Sequence, residues 1–165
     1  MRAFKHVNLK KTRELDCLFP PSLFEDWPDH PDLDTVPISI WDHWLYSSGS
    51  QALLHQATPS DEQDWNARFD SLHKRMLHNT EVLKMHWRKH KKLPSYKSVR
   101  ALPEATFALS NLNGYKFTLA LPEFEAFYSL GDDFTAFFHC LHPNKASQIF
   151  EWSENSGLKI VGARA

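Results

Sequence analysis

Residues 58–65, TPSDEQDW, place the strongest local constraint on this chain. Thr58 can cap a helix, Pro59 suits the first helical position, and Asp61, Glu62 and Asp64 favour the positive end of the helix dipole. Trp65, Phe69, Leu72, Met76, Leu83 and Trp87 follow nearly on one helical stripe. The spacing predicts a long helix that bends or restarts at Asn79 and Thr80 and ends before Pro94. Upstream, residues 18–37 contain Pro20, Pro21, Pro28, Pro31 and Pro37. Proline lacks the backbone donor and restricts the residue before it, so this stretch reads as loop with short helical turns at most. Ile38, Trp41, Trp44 and Leu45 recur at three- and four-residue spacing and predict a short helix ending near Gly49. Residues 52–55 predict another helical piece.

The pattern changes downstream. Residues 105–121 carry Asn113-Gly114 between two runs of strand formers, which is a hairpin signal. LPEFEAFYSLG, residues 121–131, reads as a short helix with Pro122 near its start and Gly131 as its stop. Strands are expected over 134–141, 147–152 and 158–161, the last two joined by the turn SENSG. The expected fold is α+β: an N-terminal helical half, then a five-stranded, mainly antiparallel sheet with one inserted short helix. The 165 residues, 42 % hydrophobic and 24 % charged, fit one domain over 1–165 rather than a disordered chain. A loop-and-helix portion is expected to about residue 100 and a sheet portion beyond it.

The C-terminal half, residues 105–164, resembles the bacterial family known as domain of unknown function 2947. The resemblance rests on element order, on an aromatic short helix, on Asp132-Asp133 opening a strand, and on the ending GLKIVGAR. Trp41 and Trp44 add a WxxW in the N-terminal half. The resemblance implies a bacterial intracellular protein of this fold, and it implies no activity. A fold-level analogy also runs to the immunity proteins of toxin systems, which combine an aromatic helix with a small antiparallel sheet.

Charge is unevenly spread. The formal net charge is -1, unlike the strongly basic balance of a dedicated nucleic-acid binder. Residues 25–42 nevertheless hold Glu25, Asp26, Asp29, Asp32, Asp34 and Asp42 with no Lys or Arg. Residues 86–100, HWRKHKKLPSYKSVR, hold Arg88, Lys89, Lys91, Lys92, Lys97 and Arg100 with no acid. The two stretches either steer a partner or face each other within the fold.

These patches supply the candidate sites. Trp27 within the acidic loop, beside Asp29, His30 and Asp32, is a candidate aromatic anchor for a protein partner. Phe124 and Phe127 of the expected aromatic helix form a second candidate surface. Arg88, Lys92 and Lys97 are the alternative, a phosphate-binding face for nucleic acid. His86 and His90 at i, i+4 would share one helix face as a zinc pair, but Trp87 replaces the Glu of the familiar hydrolase motif. His139, Cys140 and His142 alternate across an expected strand, so they do not form one site. Asp132 and Asp133 read as turn acceptors. With five glycines, the chain has no phosphate-cradling loop, and it has no nucleophile-elbow, Walker or Rossmann motif.

The expected function is a non-catalytic protein-binding module, immunity-like or regulatory, with no cofactor. The alternatives are nucleic-acid binding through residues 84–100 and a metal-dependent hydrolase at His86 and His90. Two cysteines outside any CxxC pair, no signal-peptide core at the N-terminus and no apolar run long enough to span a bilayer lead to the expectation of a cytoplasmic protein without membrane contact.

Overall fold

The computed structural model describes residues 4–44, 52–87, 93–100, 118–131 and 133–162. The chain runs β1 (Phe4–His6), α1 (Leu9–Leu18), a 3-10 turn (Pro21–Phe24), β2 (Asp34–Ser39), α2 (Ala52–His55) and α3 (Pro59–Asn79). Then come β3 (Leu83–Trp87), β4 (Pro94–Val99), β5 (Thr118–Leu121), a 3-10 turn (Pro122–Phe124), β6 (Ala126–Leu130) and β7 (Thr135–Cys140). A third 3-10 turn (Pro143–Ala146), α4 (Ser147–Asn155) and β8 (Lys159–Ile160) complete it. Among the described residues the fold is α+β, with four helices and one antiparallel sheet of eight strands in the order β1-β4-β3-β5-β6-β7-β2-β8. No helix among the described residues is long and apolar enough to cross a membrane.

The five-stranded expectation is therefore corrected to eight, and the helical N-terminal half to one that supplies four strands, β1 to β4. Three misread elements account for most of the difference. In LPEFEAFYSLG only Pro122–Phe124 turns helically. Glu125 then adopts the left-handed conformation (φ 48°) and the chain leaves as β6. Phe127 and Tyr128 favour strand, and a strand buried on both faces shows no polar alternation to betray its period. Residues 80–87 do not continue the helix: Thr80 caps α3 in extended geometry, and β3 follows, burying Leu83 and Met85. Residues 147–152, expected as a strand, are helical in α4, with Ile149 and Ser153 buried one turn apart. The helix stops in a Schellman arrangement at Gly157 (φ 82°), with Leu158 N donating to Ser153 O at 3.0 Å and Gly157 N to Glu154 O at 2.9 Å.

Pro37 sits inside β2, which the proline-rich loop reading did not anticipate. Its carbonyl accepts from Val161 N, so Pro37 faces the β8 side, and its missing donor removes no bond to β7. The helix expected over residues 38–45 is absent through residue 44: Ile38 and Ser39 complete β2, and bends follow. The Asn113-Gly114 hairpin lies outside the described residues, apart from β5, the end of its second arm. The α3 start forms as read: Thr58 and Asp61 make a full capping box, and Phe69, Leu72 and Met76 are fully buried.

Alternation within each strand builds two cores, one on each face of the sheet. Leu119, Leu121, Ala126, Tyr128, Ala136, Phe138 and Ile38 join α3 and α4 on the first face. Ala120, Phe127, Leu83, Met85 and Tyr96 meet Leu15, Phe19, Leu23 and Phe24 of α1 and the turn after it on the second. The acidic loop, residues 25–34, closes this second core and then feeds β2.

Candidate functional site

Among the described residues the second face is only partly covered. Its remaining surface, over β2, β7 and β6, forms a cleft of about 580 Å³. Antiparallel register explains its floor: Thr35 pairs with His139, Pro37 with Phe137, Ser129 with Phe137, and Phe127 with His139. Because side chains alternate, Thr35, Pro37, Ser129, Phe137 and His139 all point to the same face. Gly131 belongs to the same wall: a Cβ there would lie 2.6 Å from Phe137 Cε2 and 2.9 Å from the Thr135 carbonyl oxygen. Trp44, Leu130, Pro28 and Asp29 complete the lining.

His139 is the centre of the polar floor. It is 4 % exposed. Its Nδ1 lies 3.0 Å from Thr35 Oγ1 and its Nε2 3.0 Å from Ser129 Oγ. Burial pushes its pKa down to about 4, against a small opposing pull from Asp29. The ring is therefore neutral near pH 7, with one nitrogen donating and the other accepting. Either tautomer leaves one of the two hydroxyls with its hydrogen free to turn toward a ligand. Trp27 packs edge-on against His139 (5.1 Å) and Phe127 (4.9 Å). Phe137 lies within 25° of parallel both to Trp44 at 6.4 Å and to His139 at 6.2 Å. Trp44 is steadied by donation from Nε1 to the Gly162 carbonyl at 3.3 Å.

The array has the outline of a nucleophile and base, Ser129 and His139. Two features argue against that chemistry. A base whose pKa is near 4 is poorly matched to proton abstraction near neutral pH. The second ring nitrogen also meets a threonine hydroxyl rather than a carboxylate. What remains is a hydrogen-bonding floor between aromatic walls, the usual make-up of a binding pocket.

The sequence-derived candidates fall as follows. Asp29 lines the cleft. Trp27 is half-buried behind it, a wall rather than a protruding anchor. His30 Nδ1 accepts from Asp32 N at 3.2 Å, which uses both residues in a local turn. Phe124 and Phe127 are corrected from surface to core. Phe127 is 0 % exposed in the second core and Phe124 8 % exposed in the first, on opposite faces of the sheet. His86 lies in β3, so the helix that would set it beside His90 does not reach it; His90 is outside the described residues. Among the described residues no three His, Cys, Asp or Glu side chains converge as a metal site.

Arg88 and Lys92 also lie outside the described residues. Lys97 is on β4, paired across from Lys84 on β3, on the face away from the acidic loop. Trp87, in contrast, reaches the loop side and packs on Phe24 (5.5 Å) and Trp27 (6.4 Å). The acidic and basic stretches thus meet through aromatic rings, while Lys84 and Lys97 face elsewhere.

Sequence reasoning missed Ser129, Thr35 and the central role of His139. They stand 10 and 104 positions from His139, joined only by strand pairing. Reading FYSLG as a strand would have put Phe127 and Ser129 on one face and supplied the signal. No family model matches the chain, and no curated protein or solved structure does either.

Proposed function

We propose that this chain is a non-catalytic protein-recognition module that takes a partner side chain into the cleft over β2, β6 and β7. The observation that carries this reading is the neutral His139 held between two hydroxyls at the floor of an aromatic cleft. Such a floor orients a bound group through hydrogen bonds, while the walls supply apolar contact. The acidic loop supports it by placing Asp29 in the lining. The resemblance to domain of unknown function 2947 adds a bacterial setting and no activity. We place the module in the cytoplasm, where its two free cysteines, Cys17 exposed and Cys140 buried, would stay reduced.

The test is affinity capture from a lysate of the source cells with wild type, Trp44→Ala and Thr35→Arg in parallel. Thr35 is exposed and lines the cleft, so the longer arginine side chain would occupy space that a ligand needs. The reading expects a partner held by wild type and lost by both variants. A partner set that both variants retain in full would overturn it.

A further inference from the structure

We propose that the side chain received by the cleft is an arginine, presented by a basic segment of the protein partner. This rests on the recognition reading above and specifies its chemistry.

Three independent features converge on a planar cation. The first is shape. Trp44 and Phe137, both partly exposed, line the cleft with their rings within 25° of parallel, which makes an aromatic wall. A guanidinium is flat and stacks on such faces, whereas an ammonium is compact and strongly hydrated. The second is acceptor geometry. Asp29 brings a carboxylate to the cleft, and Thr35 and Ser129 bring hydroxyl oxygens to it. A guanidinium carries five donors and no acceptor, which suits a carboxylate fork together with hydroxyls. The third is field. Among the described residues no Lys or Arg lines the cleft, Asp29 brings a carboxylate to it, and the sequence over residues 25–42 has six acids with neither Lys nor Arg. An acidic surface also steers a basic segment inward and repels phosphate, which disfavours nucleic acid here.

The experiment is an NMR titration of the isotope-labelled chain with three short peptides: alternating arginine and glycine, the same peptide with lysine, and the same with citrulline. Citrulline keeps the planar shape and removes the charge. The arginine peptide is expected to move the Trp44 indole and His139 ring resonances. It should bind about tenfold more tightly than either analogue. Asp29→Asn, in an exposed position, should remove most of that preference while leaving the spectrum of a folded protein. Trp44→Phe, which keeps a ring, should retain part of it.

Equal binding of arginine and citrulline at Trp44 would overturn the charge assignment and leave the cleft as a recognition site. Equal binding of arginine and lysine would overturn the planar assignment. Shifts confined to residues outside the cleft, or no shift with any peptide, would overturn the inference altogether. The lysate capture judges the underlying reading separately, because it does not depend on which side chain enters.

Discussion

His139 and His73 are buried rings whose protonation the fold resists. Burial pushes each pKa down to about 4 from 6.5. His73 sits in the first core with Nε2 2.9 Å from Tyr128 Oη, and His139 lies under the cleft. The folded chain binds these protons less readily than the unfolded chain. Their contribution to stability is therefore fully present above pH 6.5 and is lost as pH falls toward 4. By about pH 5 the loss should reach about 2 kcal/mol per histidine. Urea unfolding at neutral and mildly acid pH checks this, and His139→Asn should remove roughly half of the acid sensitivity. A pH-independent midpoint would contradict the burial of both rings. Neither histidine announces itself in the sequence: FFHCLHP offers two imidazoles, and only strand pairing shows that one is enclosed while His142 stays exposed.

At the scale of elements, legibility followed local chemistry. The α3 start was readable because its capping box lies within four consecutive residues, with Thr58 N donating to Asp61 Oδ2 at 2.8 Å and Asp61 N to Thr58 Oγ1 at 3.2 Å. Thr58→Ala should cost about 1 kcal/mol in urea unfolding. The α4 and β6 assignments were exchanged because both are short apolar runs. Ile149, Phe150 and Trp152 read equally well at either period, and so do Ala126, Phe127 and Tyr128. The glycine after α4 carried the missing information. Gly157 is left-handed, with Arg68 Cδ 3.4 Å from where its Cβ would be. Gly157→Ala should lower stability by about 1–2 kcal/mol, whereas Gly157→Asn should recover part of the loss. Were 147–152 a strand closing in a hairpin turn, the helical content by circular dichroism would not respond to the Thr58 and Gly157 changes independently.

For the whole molecule, the decisive fact is that, among the described residues, the N-terminal segment covers only part of the sheet's second face. Phe127 anchors that cover, with Phe19 at 4.4 Å, Phe24 at 5.8 Å and Trp27 at 4.9 Å. Phe127→Ala should cost about 3–5 kcal/mol by chemical denaturation, far more than Trp44→Ala at the cleft rim. The sequence supplied the α+β class and the charge segregation. The size of the sheet was hidden, because β1 is only three residues long and β2 contains a proline, whereas β8 falls within the strand expected over 158–161. The cleft was hidden for the same reason: it exists only where β2, β6 and β7 come together, and two of these were read as loop and helix.

The most direct test of the account is a side-chain nitrogen NMR titration of His139. A ring enclosed between Thr35 and Ser129 should hold one neutral tautomer from pH 7 down to about pH 5, with its midpoint near the shifted value of about 4. A midpoint close to 6.5, with the ring exchanging freely between tautomers, would place His139 in solvent. That result would contradict the pairing of β2, β7 and β6 and the cleft built upon it.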